Sequence, residues 1–334
     1  MNTACLCLWV MVAAPPWVTA FTTQEAEDDS MTLGRVTQIR FATVQHGRAL
    51  LTAEDDFSKN MSRYDLQCRL QTDQPVTLDD WRQFTAAQVR DWSSDDRRRV
   101  REAWIALDQR LKPYNLPLPG EIWLVHTTGN EESHAAHTRG RAIVLPTKVM
   151  AYGPIPLQRL LVHELFHIMS RHDPRLRGRL YRIIGFELCK PIELPASLAA
   201  RKITNPDAPL VDCTIQLAAA DGTFYRAAPI LYAADATYDT KRKPTLFQSL
   251  IFRLMVVQQA GNRYQAVLRD GQPVVIDPTR EPAFFAQVGR NTDYLIHPDE
   301  ILADNFVRLV FADTEVRTPQ ILEEMKKILT GGKD

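Results

Sequence analysis

The sequence predicts an α+β fold in which a mixed β-sheet precedes a long amphipathic helix and further helices close the chain. Segments 121–127 and 141–145 are short, apolar and bounded by Gly or Pro, as strands usually are. Segment 154–171 carries Leu and Ile at helical spacing, and segments 298–312 and 319–329 each begin with a Pro that suits the first helical position. With 334 residues, 45% of them hydrophobic, the chain can bury a sizeable core as one large unit or about two domains.

The charge balance limits the classes of function. The chain holds 40 Lys and Arg against 40 Asp and Glu, so its formal net charge at pH 7 is zero. A dedicated nucleic-acid-binding protein normally shows a basic excess, and an acidic disordered chain shows the opposite excess. The 14 Gly follow no repeating period, which argues against collagen-like and repeat architectures. We therefore expect a globular protein with no nucleic-acid partner.

Residues 1–20 are interpreted as a signal peptide. The run 4–14 is apolar but too short to span a bilayer as a helix, and residues 18–20 offer small or branched side chains at a cleavage position. An uncleaved anchor is the alternative, because residues 1–3 carry no basic side chain. The most apolar later window, 251–257, is interrupted by an arginine. The sequence thus predicts a secreted or periplasmic protein with no transmembrane segment in the mature chain.

The cysteines do not indicate a disulfide scaffold. Once the signal is removed, Cys68, Cys189 and Cys213 remain, which is an odd number without a CxxC spacing. A Cys189–Cys213 bridge and three free thiols are both compatible with this pattern.

Region 21–77 is interpreted as an N-terminal lead-in, with an acidic start and a possible short strand at 40–44. Two helices are predicted next, over 78–89 and 94–112. Each follows a Thr or Ser that can cap it, and each has two Asp in its first turn. Together with the strands and the long helix that follow, they form a predicted N-terminal subdomain, 78–175.

A polar loop at 129–139 separates the two predicted strands of this subdomain. It contains His134 and His137, which could approach a substrate cleft. Because the loop has no apolar pattern, we interpret both histidines as surface residues.

Region 176–290 is interpreted as an insertion of mixed strands and helices, and region 291–334 as a C-terminal helical part. Within the insertion, a turn-rich break, strands, a helix and two further strands are predicted at 205–210, 211–231, 244–259, 264–268 and 273–276.

The feature most informative about function is the sequence HELFH at 163–167, an HExxH motif on a predicted helix. Side chains four residues apart share one helix face, so His163 and His167 can bind the same metal ion. Glu164 lies about a third of a turn away, where it can reach a water molecule at the metal without being a ligand.

A catalytic zinc needs a third protein ligand and one open position. Glu300 is favoured because Asp304 follows it at i+4, so one carboxylate could bind metal while the other accepts the distal N–H of a ligating histidine. Asp299 is interpreted as a solvated acid favoured by the helix dipole. Glu187 is the alternative ligand, and Asp173 is a third candidate in an HExxHxxSxxD pattern.

HELFH followed by a helix with the pattern Glu300-x-x-x-Asp304 resembles the gluzincin group of zinc metallopeptidases, of which thermolysin is the best-known member. The preceding order of long helix, strand and short edge strand at 141–145 is similar to a zincin N-terminal subdomain. The segment HPDEILADNF is also similar to the second motif of uncharacterised bacterial secreted HExxH proteins. The interval between His167 and Glu300 is far longer than in thermolysin-like enzymes, which predicts a large insertion.

The resemblance implies one catalytic Zn²⁺ bound by His163, His167 and Glu300, with Glu164 as general base and Asp304 orienting His163. An oxyanion donor would also be needed. Tyr294 and His297 are the nearest candidates in sequence, although each is of a type that often packs or caps a helix.

The sequence therefore predicts a zinc-dependent metallopeptidase that acts on a peptide or protein substrate. Two alternatives remain open. One is a metal-binding module that keeps the zincin fold without catalysis, and the other is a zinc hydrolase of a different amide or ester.

Overall fold

The computed structural model of the chain describes residues 30–34, 36–219, 221–242 and 244–331. Helices and strands both contribute, and the first of the two larger sheets is mixed, which confirms the predicted α+β class. The predicted signal peptide, 1–20, lies outside the described residues.

Helices occur along most of the described chain, and several begin at the predicted caps. Thr77 and Ser93 each accept a hydrogen bond from a backbone N–H in the first turn of the helix that follows, as expected for N-caps. The helices are α1 (Val44–Thr52), α2 (Asp56–Lys59), α3 (Arg63–Leu70), α4 (Leu78–Gln88), α5 (Ser94–Leu111), α6 (Pro154–His172), α7 (Pro174–Ile183), α8 (Ala196–Ala199), α9 (Leu246–Ser249), α10 (Pro282–Val288), α11 (Pro298–Phe311) and α12 (Pro319–Leu329).

The first sheet is formed by β1 (Ser30–Leu33), β2 (Thr37–Phe41), β3 (Glu121–Thr127), β4 (His137–Arg139) and β5 (Ala142–Pro146). Their order in space is β1-β2-β3-β5-β4. The three inner strands run parallel, and the two outer strands pair antiparallel with their neighbours.

Helices cover both faces of this sheet, which explains why its inner strands are so apolar. Leu124 and Leu145 belong to the main core together with residues of α5 and α6. Val125 and Val144 pack on the other face, in a cluster that includes Leu51 of α1. Parallel strands that are buried on both faces have nearly continuous apolar sequences.

The edge strands of the sheet are β1 and β4, and the prediction of an edge strand at 141–145 is wrong. That segment forms the inner strand β5, while β4 comes from the predicted polar loop. Because β4 has only three residues with the sequence His-Thr-Arg, no apolar alternation could reveal it.

The described part of region 21–77 is more than a lead-in. Strand β2 pairs in parallel with β3 and brings Ile39 and Phe41 into the main core. Helices α1 and α3 follow, and the buried Tyr64 and Cys68 of α3 pack against residues of the later insertion. The sequence here is mixed in pattern, because the strand is short and the helices are brief.

The second sheet lies within the predicted insertion, 176–290. It is antiparallel, with the order β10-β9-β8-β7-β6 and with β13 also paired to β9. A separate hairpin joins β11 and β12. The strands are β6 (Phe186–Leu188), β7 (Cys213–Ala218), β8 (Phe224–Ala233), β9 (Leu250–Ala260), β10 (Arg263–Ala266), β11 (Leu268–Arg269), β12 (Gln272–Pro273) and β13 (Val275–Ile276).

The predicted helix over 244–259 is wrong. Only the short α9 is helical, and β9 follows it directly. β9 pairs with β8 on one side and with β10 and β13 on the other, so its backbone donors and acceptors are used by neighbouring strands. Its Ile, Phe and Val residues suit this half-buried position better than a helix.

The main hydrophobic core joins the two larger sheets. Ile215 and Leu254 of the second sheet belong to the same buried cluster as Leu124 of the first sheet. Cys68, Cys189 and Cys213 are free thiols, so the alternative with a Cys189–Cys213 bridge is not observed. None of the helices in the described part of the chain has the length and apolar character required to cross a membrane.

Candidate metal centre

The HExxH motif lies in the middle of α6, and the apolar residues of that helix fix its position. Leu161, Leu165 and Ile168 are buried in the main core. His163 and His167 are directed towards α11, the helix that carries the second motif. Their rings lie 4.9 Å apart between centroids.

Helix α11 begins immediately after His297, which caps it. The N–H of Asp299 donates to Nδ1 of His297 at 3.1 Å. This start places Glu300 in the first turn and Asp304 one turn later, on the side that faces α6.

The two helices bring together the predicted metal ligands His163, His167 and Glu300, each of which has a ligand atom within 4.8 Å of the others. Oε2 of Glu300 lies 3.1 Å from Nε2 of His163 and 3.4 Å from Nε2 of His167. The side chains of His167 and Glu300 are 0% and 3% exposed, whereas that of His163 is 17% exposed. Access to the three atoms is therefore from the side of His163.

These separations fit a tetrahedral zinc ion. Ligand atoms about 2.1 Å from such an ion lie about 3.4 Å from one another. In addition, Nε2 of His167 is buried and has no hydrogen-bond partner among the described residues. Two imidazoles and one carboxylate are also a donor set that zinc prefers. The residues present therefore fit the metal implied by the sequence.

The far nitrogen of each histidine contacts a different aspartate of α11. Nδ1 of His163 lies 3.1 Å from Oδ1 of Asp304, which is the contact implied by the resemblance to gluzincins. Nδ1 of His167 lies 2.7 Å from Oδ2 of Asp299. With the Nδ1 protons donated to carboxylates, the Nε2 atoms of both rings are left to bind metal.

Asp299 is therefore a site residue, and its interpretation as a solvated helix-start acid is wrong. It is 2% exposed, and its second oxygen accepts hydrogen bonds from the hydroxyls of Ser170 at 2.6 Å and Tyr181 at 3.0 Å. Its position next to Glu300 was the one available signal. In the first turn of a helix, the residue before a candidate ligand can face the neighbouring helix as readily as the residue one turn after it.

The electrostatics of the metal-free site favour protonated histidines. Although burial opposes protonation of His163, its hydrogen bonds to Asp304 and Glu300 raise its pKa to about 10. Burial likewise opposes protonation of His167, and the charge of Glu300 raises the pKa of His167 well above its usual value. A metal ion bound here would have to displace these protons, so its affinity would increase with pH.

Glu164 is buried beside the three candidate ligands, and one of its oxygens, Oε2, has no partner among the described residues. Burial raises the pKa of Glu164 and the charge of Asp207 raises it further, while the two histidines oppose the shift. Glu164 also lines a cavity of about 540 Å³ together with His163 and Tyr294. It is thus placed where a carboxylate can exchange a proton with a molecule in the cavity.

His134 is exposed, which confirms its interpretation as a surface residue, and it also lines this cavity. Tyr294 is 37% exposed at this wall. Burial of its hydroxyl end raises the pKa of Tyr294, and the charges of Glu300 and Asp207 add to this effect. Tyr294 therefore keeps its phenolic proton and can donate it in a hydrogen bond.

The turn at 205–210 was predicted from the sequence, but its contribution of two residues to the site was not. Nδ2 of Asn205 donates to Oε1 of Glu300 at 2.6 Å. Asp207 has a carboxylate oxygen within 4.8 Å of ligand atoms of Glu164 and His167. No motif spacing connects this segment to either helix, because the contacts join parts of the chain that are distant in sequence.

Three other candidates lie elsewhere. Glu187 is 57% exposed on β6 and pairs with Arg226 at 2.9 Å, so it is not brought to the histidines. Asp173 caps α7 by accepting from the N–H groups of Arg175 and Leu176. His297 caps α11 and does not line the cavity, so the structure gives it no position as an oxyanion donor.

His137 is 3% exposed, which corrects its interpretation as a surface residue and predicts an effect of pH on stability. Burial lowers its pKa from 6.5 to about 4. Between these values the unfolded chain binds a proton that the folded chain does not, so the free energy of unfolding falls as pH falls from 6.5 to 4. We expect the free energy of unfolding of His137→Asn to fall by about 3 kcal/mol less than that of the wild type between pH 6.5 and 4.

The measurement is denaturant unfolding of metal-free protein at several pH values across this window. His172→Asn, which replaces an exposed histidine, is the matched control and should keep the wild-type slope. A slope for His137→Asn equal to that of the wild type would contradict the assignment.

Comparison with known proteins identifies no relative of this chain: no protein-family model, no curated protein and no solved structure matches it.

Proposed function

We propose that the chain is a zinc-dependent metallopeptidase of the gluzincin type. The observation that carries the proposal is the convergence of Nε2 of His163, Nε2 of His167 and Oε2 of Glu300 at separations suited to zinc, with Glu164 beside them. An HExxH motif supplies this pair of imidazoles and an adjacent base for hydrolysis. The large cavity at the exposed side of His163 gives room for part of a peptide.

His163, His167 and Glu300 would hold the ion, leaving the fourth position open towards the cavity. Zinc bound there would act as a Lewis acid that lowers the pKa of a water molecule and polarises the scissile carbonyl. Glu164 accepts the proton of the attacking water at its carboxylate and then delivers it to the leaving amine. The raised pKa of Glu164 suits both steps, because a carboxyl group whose pKa lies near neutral pH can both take up and release a proton.

Two further residues have assigned tasks in this proposal. Asp304 fixes the orientation of His163 through the 3.1 Å contact at Nδ1. Tyr294 lies in the cavity with Glu164 and donates its phenolic proton to the oxygen that becomes negative during attack. Preorganised donors of this kind are often a major source of rate enhancement.

The test is hydrolysis of a mixture of peptides by the purified chain, followed by mass spectrometry of the products. We expect peptide cleavage that stops when a chelator removes the metal and returns when one equivalent of zinc is added. Simple amide and ester substrates assayed in parallel address the alternative of a non-proteolytic hydrolase. A protein that binds one zinc and cleaves neither class of substrate would contradict the proposal in favour of a non-catalytic metal module.

A further inference from the structure

The two oxygens of the Glu300 carboxylate have different partners. Oε2 faces the Nε2 atoms of His163 and His167, at 3.1 and 3.4 Å. Oε1 accepts a hydrogen bond of 2.6 Å from Nδ2 of Asn205. The carboxylate is therefore held from both sides, and only one of its oxygens is directed towards the metal position.

The orientation of the Asn205 amide follows from its own contacts. The N–H of Asp207 donates to Oδ1 of Asn205 at 2.9 Å, so the nitrogen of the amide is the atom that faces Glu300. An amide nitrogen donates and cannot accept, and it carries no charge that would compete with the metal.

The chain is held in place by hydrogen bonds on both sides of Asn205. On its N-terminal side, the buried Thr204 donates its backbone N–H to Oδ2 of Asp65 at 2.8 Å and accepts at its carbonyl from Arg69 at 3.0 Å. Arg69 in turn forms a buried ion pair with Glu132, with an N···O distance of 2.7 Å. These groups are almost unexposed, so the anchor is rigid on this side.

On the C-terminal side, Arg171 donates to the carbonyls of Pro206 at 3.0 Å and Asp207 at 2.8 Å. Arg171 lies one turn after His167 on α6. The carboxylate of Asp207 also accepts hydrogen bonds from the N–H and hydroxyl of Thr138 on the edge strand β4, at 2.6 and 2.7 Å. The segment is therefore fixed to the same helix that carries the histidines.

We propose that Asn205 is a positioning residue that holds Glu300 in coordination through one oxygen. This inference rests on the zinc site proposed above. A carboxylate free to rotate can bind a metal through both oxygens and so fill the position that hydrolysis needs for water. The hydrogen bond from Asn205 occupies Oε1 and keeps that position open, while the anchors on α3 and α6 keep the amide in place.

The test compares the wild type with Asn205→Ala and Asn205→Asp, in metal-free and metal-loaded forms. Outer partners of ligands typically contribute 10- to 100-fold to metal affinity. We expect Asn205→Ala to weaken zinc binding by about that factor in competition with a chelator. Asn205→Asp should weaken it further, because it places a carboxylate against Glu300. Asn130→Ala, which changes an exposed Asn far from the ligands in sequence, should match the wild type.

Cobalt substitution gives a readout that a purely structural role would not change. Visible absorption of bound Co²⁺ depends on coordination number, and we expect the band of Asn205→Ala to weaken as the second oxygen of Glu300 joins. Melting temperatures of the metal-free variants report folding separately. Wild-type zinc affinity and an unchanged cobalt spectrum in Asn205→Ala would overturn the inference.

The same measurements separate this inference from the proposed function. If the wild type binds zinc, loses affinity on Asn205→Ala and hydrolyses no peptide, the positioning role stands and the metallopeptidase proposal fails. If the wild type does not bind zinc at all, both fail. If peptides are cleaved and Asn205→Ala keeps full affinity and the wild-type cobalt spectrum, only the positioning role fails.

Discussion

Replacement of Glu164 by Gln is expected to reduce peptide hydrolysis by about 1,000-fold while leaving one zinc bound per chain. Gln has the same shape as Glu but cannot accept a proton from water at neutral pH. Glu164 has no described partner at Oε2, so its carboxylate is free to act in the cavity. It belongs to a different group, with His167 and Asp207, and not to the group formed by His163, His167 and Glu300, so removal of its charge should leave those three side chains in place.

The measurement pairs initial rates of peptide cleavage with zinc content from elemental analysis. Glu131→Gln is the matched control, because Glu131 is also buried and also has an oxygen without a described partner, yet it contacts Thr127 rather than the metal ligands. Loss of activity in Glu164→Gln with full activity in Glu131→Gln would assign the base. Retained hydrolysis in Glu164→Gln would show that another group takes the proton.

The parts of the fold that the sequence predicted correctly are those set by local signals. Strand β3 has the predicted bounds, and α5 begins at the predicted cap Ser93. In each case the residues that decide the structure lie within the segment or next to it. The apolar period determines the element, and a neighbouring Ser, Gly or Pro determines its end.

The errors occur where distant parts of the chain decide the structure. Residues 250–257 are apolar except for Arg253 and show no clear period, and pairing with β8, β10 and β13 makes them part of a strand. The same holds for β4, whose three residues form a strand because β5 lies beside them. The spacing of residues within a segment does not indicate which distant strand will pair with it.

The site divides in the same way. Helical spacing predicts that His163 and His167 share one face and that Glu300 and Asp304 share another. The contacts between the two pairs were expected from the resemblance to gluzincins. Asn205 and Asp207 could not be predicted, since a loop of the insertion reaches the site only in the folded chain. Buried polar groups of this kind are recognised by their contacts and not by their neighbours in sequence.

The choice of third ligand gives the second prediction with a large effect. Oε2 of Glu300 lies at 3.1 and 3.4 Å from Nε2 of His163 and of His167, and the side chain is almost fully buried. Glu187, the alternative from sequence, is more than half exposed and is paired with Arg226. Loss of a ligand removes a large part of the binding free energy of a three-ligand site, whereas loss of a surface ion pair costs at most about 1 kcal/mol of stability.

We therefore expect Glu300→Gln to weaken zinc binding by about 100-fold or more and to lose its zinc on dialysis, with hydrolysis lost in parallel. Gln keeps the volume of the side chain, so the fold should be retained. Because zinc bound to the folded state raises the melting temperature, the variant should also lose the stabilisation that added zinc gives the wild type. Zinc titration and thermal unfolding with and without metal measure both effects, and Glu187→Gln is the control that should behave as the wild type. If Glu187→Gln lost zinc and Glu300→Gln retained it, the third ligand would lie on β6, and the pairing of α6 with α11 would have no role in metal binding.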